Sequence, residues 1–473
     1  MSGTKTKFYI DIMAFHPEVT GSCNLIVVKY PDGTTTKFIV DCGLFQEKEY
    51  SDRNKELPFD SSTIDFVLIT HNHIDHTGRL PFLVKEGYEK SIYMTEVTSN
   101  LIRLALSDSY KVLKNISKRE NKKVLYSDED IRDTLDKVKG VKFNEEIPIT
   151  PNIKVTFLNN GHLLGAAIIL VKISYPECED INLLFTGDYN NKNMFFDVED
   201  IPEDIKDLPL TIIQESTYGD MESTDITYCY ENNILGAINT NKTVVTPVFS
   251  LGRAQEILYV LKKLQDSGKL SENIPIYLDG NLAIQYTNIY TSKKIKLKDG
   301  MEEFLPKNLT NIDDMELRRS VLYDEKAKII LTTSGMGSYG PAQTYIPEYL
   351  SRKNALIQFT GYTAEGSLGE RLKSTPFGET VEVAGLVVIK RADVEYTTEY
   401  SAHAKADEMI DFLNKFNNIK MVLISHGEKK TKDIFAKRVL KEVETKHVGI
   451  LGNEYFFRID SYGLVKTMST KFN

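Results

Sequence analysis

The sequence predicts an α/β protein of more than one domain. Three observations lead there. The chain has 473 residues, too many for one ordinary core. Short apolar strands fill its first 210 residues, and from there to about residue 395 it repeats strand, Gly-containing turn and helix. An apolar share of 41% beside a charged share of 26% belongs to a globular chain, not to a disordered or fibrous one.

In chain order the strands of residues 1–210 are FYIDIMAF, NLIVVKY, KFIVD, DFVLIT, SIYMT, IKVTFLNN, AIILVKI and INLLFTGD. A helical stretch from about Thr95 to Val138 interrupts them, with lysines and acids on its outer face. Within 211–395, the segments VVTPVFSLGRAQEILYVLKKLQ, KIILTTSGMGSYGPAQTYIPEYL and ALIQFTGYTAEGSLGERL each read as strand, turn and helix. Such a rhythm predicts a parallel sheet with loops at its carboxyl edge. The last stretch, 396–473, returns to a helix, AKADEMIDFLNKF, and a strand, KMVLIS.

Composition excludes several classes. Cys23, Cys42, Cys178 and Cys229 have no paired CxxC spacing, which argues against a cysteine zinc site or a disulfide framework and fits a reducing compartment. The opening residues MSGTKTKFYIDIM lack an export signal's apolar stretch, and Leu163 to Val171 is too short to span a bilayer, so a cytoplasmic protein without membrane contact is expected. A formal net charge of −9 disfavours a protein that coats nucleic acid, though not a local basic groove.

The densest chemistry is His71-Asn72-His73-Ile74-Asp75-His76, directly after the strand DFVLIT. On a helix, residues two apart diverge by about 200°, so His71 and His73 share an ion only in an extended segment. A turn into a helix beginning near Gly78 then brings His76 round. Other ligand types recur at strand ends: Asp41 after KFIV, His162 after IKVTFLNNG, Asp188 in INLLFTGD, Glu215 after LTIIQ, and His426 after MVLIS. A strand end delivers such a group to the sheet edge on a rigid support. Imidazole and carboxylate without thiolate suit Zn²⁺, and two ions need about seven ligand groups with one bridge. His71, His73 and His162 supply one ion, Asp75, His76 and His426 the other, and Asp188 stands between them. A water bridging two ions about 3.5–4 Å apart becomes a hydroxide nucleophile near neutral pH.

HxHxDH followed by Thr77-Gly78-Arg79-Leu80-Pro81 resembles the signature of the metallo-β-lactamase superfamily, and the later segments resemble its nucleic-acid-processing branch, the β-CASP family. The likeness runs along nearly the whole chain: Asp41 in VDCG, the 71–76 cluster, His162, Asp188, Glu215 in ESTYG, His403 in SAHA and His426 in SHGE. Within the family it is to the endonuclease subunit of the eukaryotic pre-mRNA cleavage and polyadenylation complex and its shorter prokaryotic relatives, more than to RNase J. The resemblance implies an αββα sandwich split by an inserted parallel-sheet β-CASP domain. Residues 1–210 and 396–473 would form the sandwich, and 211–395 the insert. It also implies two Zn²⁺ per chain and hydrolysis of RNA phosphodiester bonds, because a histidine at the position of His426 goes with RNA enzymes of the family. Gly337-Ser338-Tyr339-Gly340-Pro341 departs from the further glycines and arginine common in the family's segment after SGM.

On this view single-stranded RNA is the substrate and the products carry 5′-phosphate and 3′-hydroxyl ends. His403 protonates the departing oxygen or holds the phosphate, with Glu215 fixing its orientation, and Asp75 belongs to the catalytic centre. Asp41 is expected to accept a hydrogen bond from a ligand histidine and fix its tautomer. Ser334, Gly335 and Gly337 in one strand-to-helix turn, and Arg253 at the start of the GRAQE helix, are expected to hold substrate phosphates. Lys293, Lys294, Lys296 and Lys298, near Tyr286 and Tyr290, read either as an RNA track or, preferably, as a solvated edge strand. The acidic net charge points to short contacts with substrate or to affinity supplied by a partner, a second copy of the chain or another protein. A DNA nuclease and a small-molecule thioester or lactone hydrolase are the alternatives on the same core.

Overall fold

A computed structural model describes residues 8–469 apart from 48, 227–228, 293–294, 362 and 364–365. Two compact units divide the chain. The first is Met1–Lys192, Val198–Ser223 and His403–Asn473; the second is Asn193–Asp197 and Thr224–Ala402.

Two mixed sheets face one another in the first unit. In one, the strands run in the order Gly463–Ser469, Tyr455–Asp460, Tyr9–Ala14, Asn24–Lys29, Thr35–Val40, Phe66–Leu68, Ile92–Thr95 and Val138–Val141. In the other the order is Val448–Ile450, Ile419–Ile424, Leu210–Gln214, Ile181–Phe185, Ala167–Ile173, Ile153–Asn159 and Glu146–Thr150. Strand side chains alternate between faces, and here both faces are apolar. Phe38, Val40, Phe66 and Leu68 meet Phe157, Ile169, Leu183 and Phe185 in the core between the sheets. The intervening Ile39 and Val67 turn outward onto Leu80, Leu83, Ile102 and Leu106 of helices Leu80–Lys85 and Glu96–Glu120. Ile168, Leu170 and Leu184 turn outward on the other side onto Met409, Leu413, Phe435 and Val439 of helices Ala406–Leu413 and Lys429–Glu442. The layers are therefore αββα, and each fully buried Leu, Ile or Phe in them contributes about 1.5–3 kcal/mol.

In the second unit six strands form a wholly parallel sheet, ordered Leu309–Ile312, Ile276–Asp279, Ile329–Thr332, Thr243–Pro247, Ala355–Phe359 and Asp393–Tyr396. The three strand–turn–helix segments read from the sequence supply three adjacent strands, so their turns lie side by side at one sheet edge. Tyr345, Ile346 and Leu350 of helix Ala342–Leu350 pack with Val245, Ile330 and Ile357.

The expected border at 210/211 moves to 223/224. Strand Leu210–Gln214 pairs in parallel with both Ile181–Phe185 and Ile419–Ile424, which makes it an interior strand of the first unit. The later border moves likewise, from 395/396 to 402/403. No helix of the described residues is long and apolar enough to cross a membrane.

Candidate active site

The site is assembled from the carboxyl ends of neighbouring parallel strands in the two sheets of the first unit. Thr35–Val40 and Phe66–Leu68 run parallel in one sheet and lead into Asp41 and His71. In the other, Ile181–Phe185, Leu210–Gln214 and Ile419–Ile424 are parallel neighbours that lead into Asp188, Glu215 and His426. His162 follows Ile153–Asn159.

His71, Asn72 and His73 are non-helical, as expected, but the helical turn starts earlier than Gly78 and spans Ile74–Thr77. Asp75 therefore leaves the extended run and stands with His76 on that turn. The turn packs directly on the chain just past strand Thr35–Val40, where only glycine fits: a Cβ on Gly43 would fall 1.5 Å from the Asp75 carbonyl oxygen.

Two groups of ligand atoms result. His71, His73, His162 and Asp188 have theirs within 4.8 Å of one another, and so do Asp75, His76 and His426. Asp188 reaches into both. Its Oδ2 lies 3.5 Å from Nε2 of His71 and 3.5 Å from Nε2 of His162. Its Oδ1 lies 3.2 Å from Nε2 of His76 and 3.2 Å from Nε2 of His426. Spacings of this size suit a tetrahedral ion whose donors, at bonds of 2.0–2.1 Å, stand about 3.4 Å apart. Nε2 of His71 and Oδ1 of Asp188 are buried and lack a hydrogen-bond partner among the described residues. A divalent cation answers both deficits, so the residues fit the metal ions that this arrangement implies.

The outward ring nitrogens are tied down. Nδ1 of His71 lies 3.1 Å from Thr70 Oγ1, Nδ1 of His76 lies 2.7 Å from Asp41 Oδ2, and Nδ1 of His426 lies 3.0 Å from Thr217 Oγ1. Such partners fix the tautomer and aim the other nitrogen at the ion. Asp41 stands in the left-handed region at φ 66 and accepts the backbone N–H of Thr70 as well. Burial holds His71 and His73 below the ordinary imidazole range, which favours the neutral form that a ligand requires. For His76, burial pulls the same way but Asp188 and Asp41, on its two nitrogens, outweigh it and raise the pKa well above that range.

His403 belongs to neither group. Its Nδ1 lies 2.9 Å from Glu215 Oε1, and its Nε2 lies 3.8 Å from Asp188 Oδ2, so Nε2 faces the ligand cluster. Glu215 is held by the backbone N–H groups of Tyr189 and Thr217, at 2.7 and 3.0 Å. Burial depresses the His403 pKa, yet Glu215 and then Asp188 more than offset it.

Sequence reasoning missed three supports. Thr70 bonds to both His71 and Asp41. Asn160 accepts the N–H of His162 and donates to the carbonyls of Thr186 and Asp188. His16 bonds to Ser425, the neighbour of His426. Asn160, two residues before His162 in NNGH, carries a local signal, since an Asn two positions from a ligand commonly closes a turn on the backbone.

Expectations for the second unit need correction. Arg253 is 5% exposed, pairs with Glu256 at 2.9 Å and donates to the Thr360 carbonyl, so its guanidinium braces two turns instead of awaiting a phosphate. Gly335 and Gly337 have packing reasons to be glycine: a Cβ would meet the Phe249 ring at 2.7 Å or Ile346 at 2.8 Å. Ser334 Oγ accepts the N–H of Tyr339 within the same turn. Lys293 and Lys294 lie outside the described residues. Lys296 and Lys298 are in irregular chain, not a strand, and Tyr286 and Tyr290 are each only 2% exposed, which removes them as stacking platforms.

Three family descriptions match the chain: the metallo-beta-lactamase superfamily domain over residues 32–210, the Beta-Casp domain over 254–372, and the Zn-dependent metallo-hydrolase RNA specificity domain over 388–450. An RNase J-like protein of Methanocaldococcus jannaschii is 30% identical over 448 residues, covering 92% of this chain and 96% of that protein. Ribonuclease TTHA0252 of Thermus thermophilus is 28% identical over 87% of this chain and 91% of its own length. Endoribonuclease ysh1 of Aspergillus fumigatus is 26% identical over 87% of this chain, which spans 50% of the fungal protein. With the αββα layers, the parallel-sheet unit and the converging histidines in place, the chain belongs to the β-CASP family of metallo-β-lactamase-fold nucleases.

Proposed function

We propose that this protein is a zinc-dependent ribonuclease that hydrolyses RNA phosphodiester bonds to 5′-phosphate and 3′-hydroxyl ends, with two Zn²⁺ per chain. The observation that carries it is the splitting of Asp188: one oxygen faces His71 and His162, the other His76 and His426, with the Glu215–His403 pair alongside. His73 and His162 complete one ligand group, and Asp75 the other. Ions bound there supply Lewis acidity, acidifying a water and neutralising phosphate charge. The choice of RNA is supported by the RNA specificity match over 388–450, which contains both His403 and His426, and by the ribonuclease relatives.

The protein's own groups do the rest. Nδ1 of His403 donates its proton to Glu215, so it is the cationic ring, which Glu215 and Asp188 favour, that carries a second proton at Nε2. Nε2 faces the ligand cluster, and from there it protonates the departing 3′-oxygen as the P–O bond breaks. Glu215, anchored by two backbone donors, keeps the ring from turning away and stabilises its cationic form.

The test is gel analysis of 5′- and 3′-labelled single-stranded RNA and matching DNA, incubated with zinc-loaded protein and with a His73→Ala/His76→Ala control. Metal-dependent cleavage of RNA, absent in the control, is the expected result, and the label pattern separates internal cutting from trimming at the 5′ end. Cleavage of DNA alone overturns the choice of substrate. A protein carrying two zinc ions that leaves both polymers intact overturns the nuclease reading in favour of a small-molecule hydrolase.

A further inference from the structure

The turn of residues 16–23 contains no member of either ligand group, yet it reaches the supports of every ligand in the second. His16 is 1% exposed. Its Nδ1 accepts the backbone N–H of Cys23 at 3.2 Å, so the ring proton sits on Nε2, which donates to Ser425 Oγ at 2.9 Å. Ser425 directly precedes His426, which is itself held in the left-handed region at φ 43.

The same turn touches the other two ligands. The N–H of Ser22 donates to the carbonyl of Asp75 at 2.8 Å. The Ser22 hydroxyl donates to Asp41 Oδ2 at 3.4 Å, and that oxygen is the one bound to Nδ1 of His76. Pro17 is clamped from the far end of the chain, because Lys432 Nζ donates to its carbonyl at 2.6 Å. In the first group the supports run elsewhere: Nδ1 of His71 goes to Thr70, and the N–H of His162 goes to Asn160. The two sets of supports meet at Thr70 and Asp41, whereas the His16–Ser425 bond leads only to His426 of the second group.

We propose that His16 is a positioning residue for the second ion alone, acting through Ser425 on His426 while its turn braces Asp75 and His76. The inference rests on the two-ion reading above. Removing a partner of this kind weakens metal affinity by roughly 10–100-fold, and the one-sided His16–Ser425 bond assigns that loss to one ion of the pair.

The experiment is calorimetric refilling of metal-free full-length protein with Zn²⁺, with metal content counted after gel filtration and folding followed by thermal melting. Native protein is expected to take up two ions. His16→Leu keeps the first at native affinity and binds the second roughly 10–100-fold more weakly. Ser425→Ala removes the other end of the same bond at little cost in volume and gives the same selective loss, which decides the matter should His16→Leu fail to fold. His16→Gln restores the second ion, since an amide can also accept from Cys23 and donate to Ser425. Unchanged second-ion affinity in the variants, or equal weakening of both ions, overturns the inference and leaves the two-ion reading intact. Native protein that takes up fewer than two ions overturns both.

Discussion

Glu215 is the residue through which two loops are joined. Its Oε1 accepts the N–H of Tyr189 and faces Nδ1 of His403, while its Oε2 accepts the N–H of Thr217 and lies 3.1 Å from the same ring nitrogen. With three donors around one carboxylate, Glu215→Gln keeps the shape but turns one side into a donor facing donors. The substitution is expected to lower kcat roughly 10–100-fold, leaving KM and metal content near native, because Glu215 belongs to neither ligand group. Single-turnover cleavage with metal analysis checks this. A variant that loses its ions instead would move Glu215 into support of the ligands. Pairing it with His403→Ala should add little further loss, since the two residues act as one unit.

At the scale of elements, what the sequence disclosed and what it hid have physical reasons. Ligands at strand ends were legible, because a run such as KFIV or MVLI followed by a polar group announces both the strand and its exit. Strand Leu210–Gln214 was placed in the wrong unit because a strand buried along its whole length reads as an apolar run in either parallel sheet. Arg253 was misread although Glu256 sits three residues on along the same helix, the spacing at which helical charges pair. His16 left no trace, since its partner Ser425 is 409 residues away and no local pattern records such a contact.

Helix Lys429–Glu442 shows another such hidden tie. Lys432 is buried with its amine on the carbonyls of Pro17 and Leu451. Burial first of all lowers its pKa to about 8 from 10.5. The unfolded chain therefore binds the extra proton between about pH 8 and 10.5, and stability rises with pH across that window. Folding carries the cost of a buried charge below pH 8 and is relieved of it above 10.5. Relative to Lys432→Met, which has no such proton, the native protein should gain about 3 kcal/mol over the window. Urea unfolding of both proteins at several pH values measures it, and parallel pH profiles would refute the assignment.

For the whole molecule, the question is whether the metal-binding unit needs the rest of the chain to fold. The chain leaves the first unit after Lys192 and after Ser223, returning at Val198 and at His403. The ends at the larger gap are held together inside that unit, where the N–H of Ser223 donates to Asp407 Oδ1 at 2.8 Å. The inter-sheet core and both helical layers draw all their buried residues from the first unit. Joining Ser223 to His403 through a Gly/Ser linker of about six residues, which can span up to about 20 Å, should therefore yield a folded protein. Phe195, packed against Tyr259, Tyr290 and Phe304 of the second unit, would be exposed and should be replaced by Ser. Cooperative melting and native metal content are expected, with cleavage of an activated phosphodiester such as bis(p-nitrophenyl) phosphate retained and cleavage of RNA lost. That pattern would divide the labour: the sandwich carries the chemistry, and the parallel-sheet unit holds the polymer. If the shortened protein folds and still cuts RNA at the native rate, the polymer-holding role of the second unit fails, whatever the fate of the metal centre.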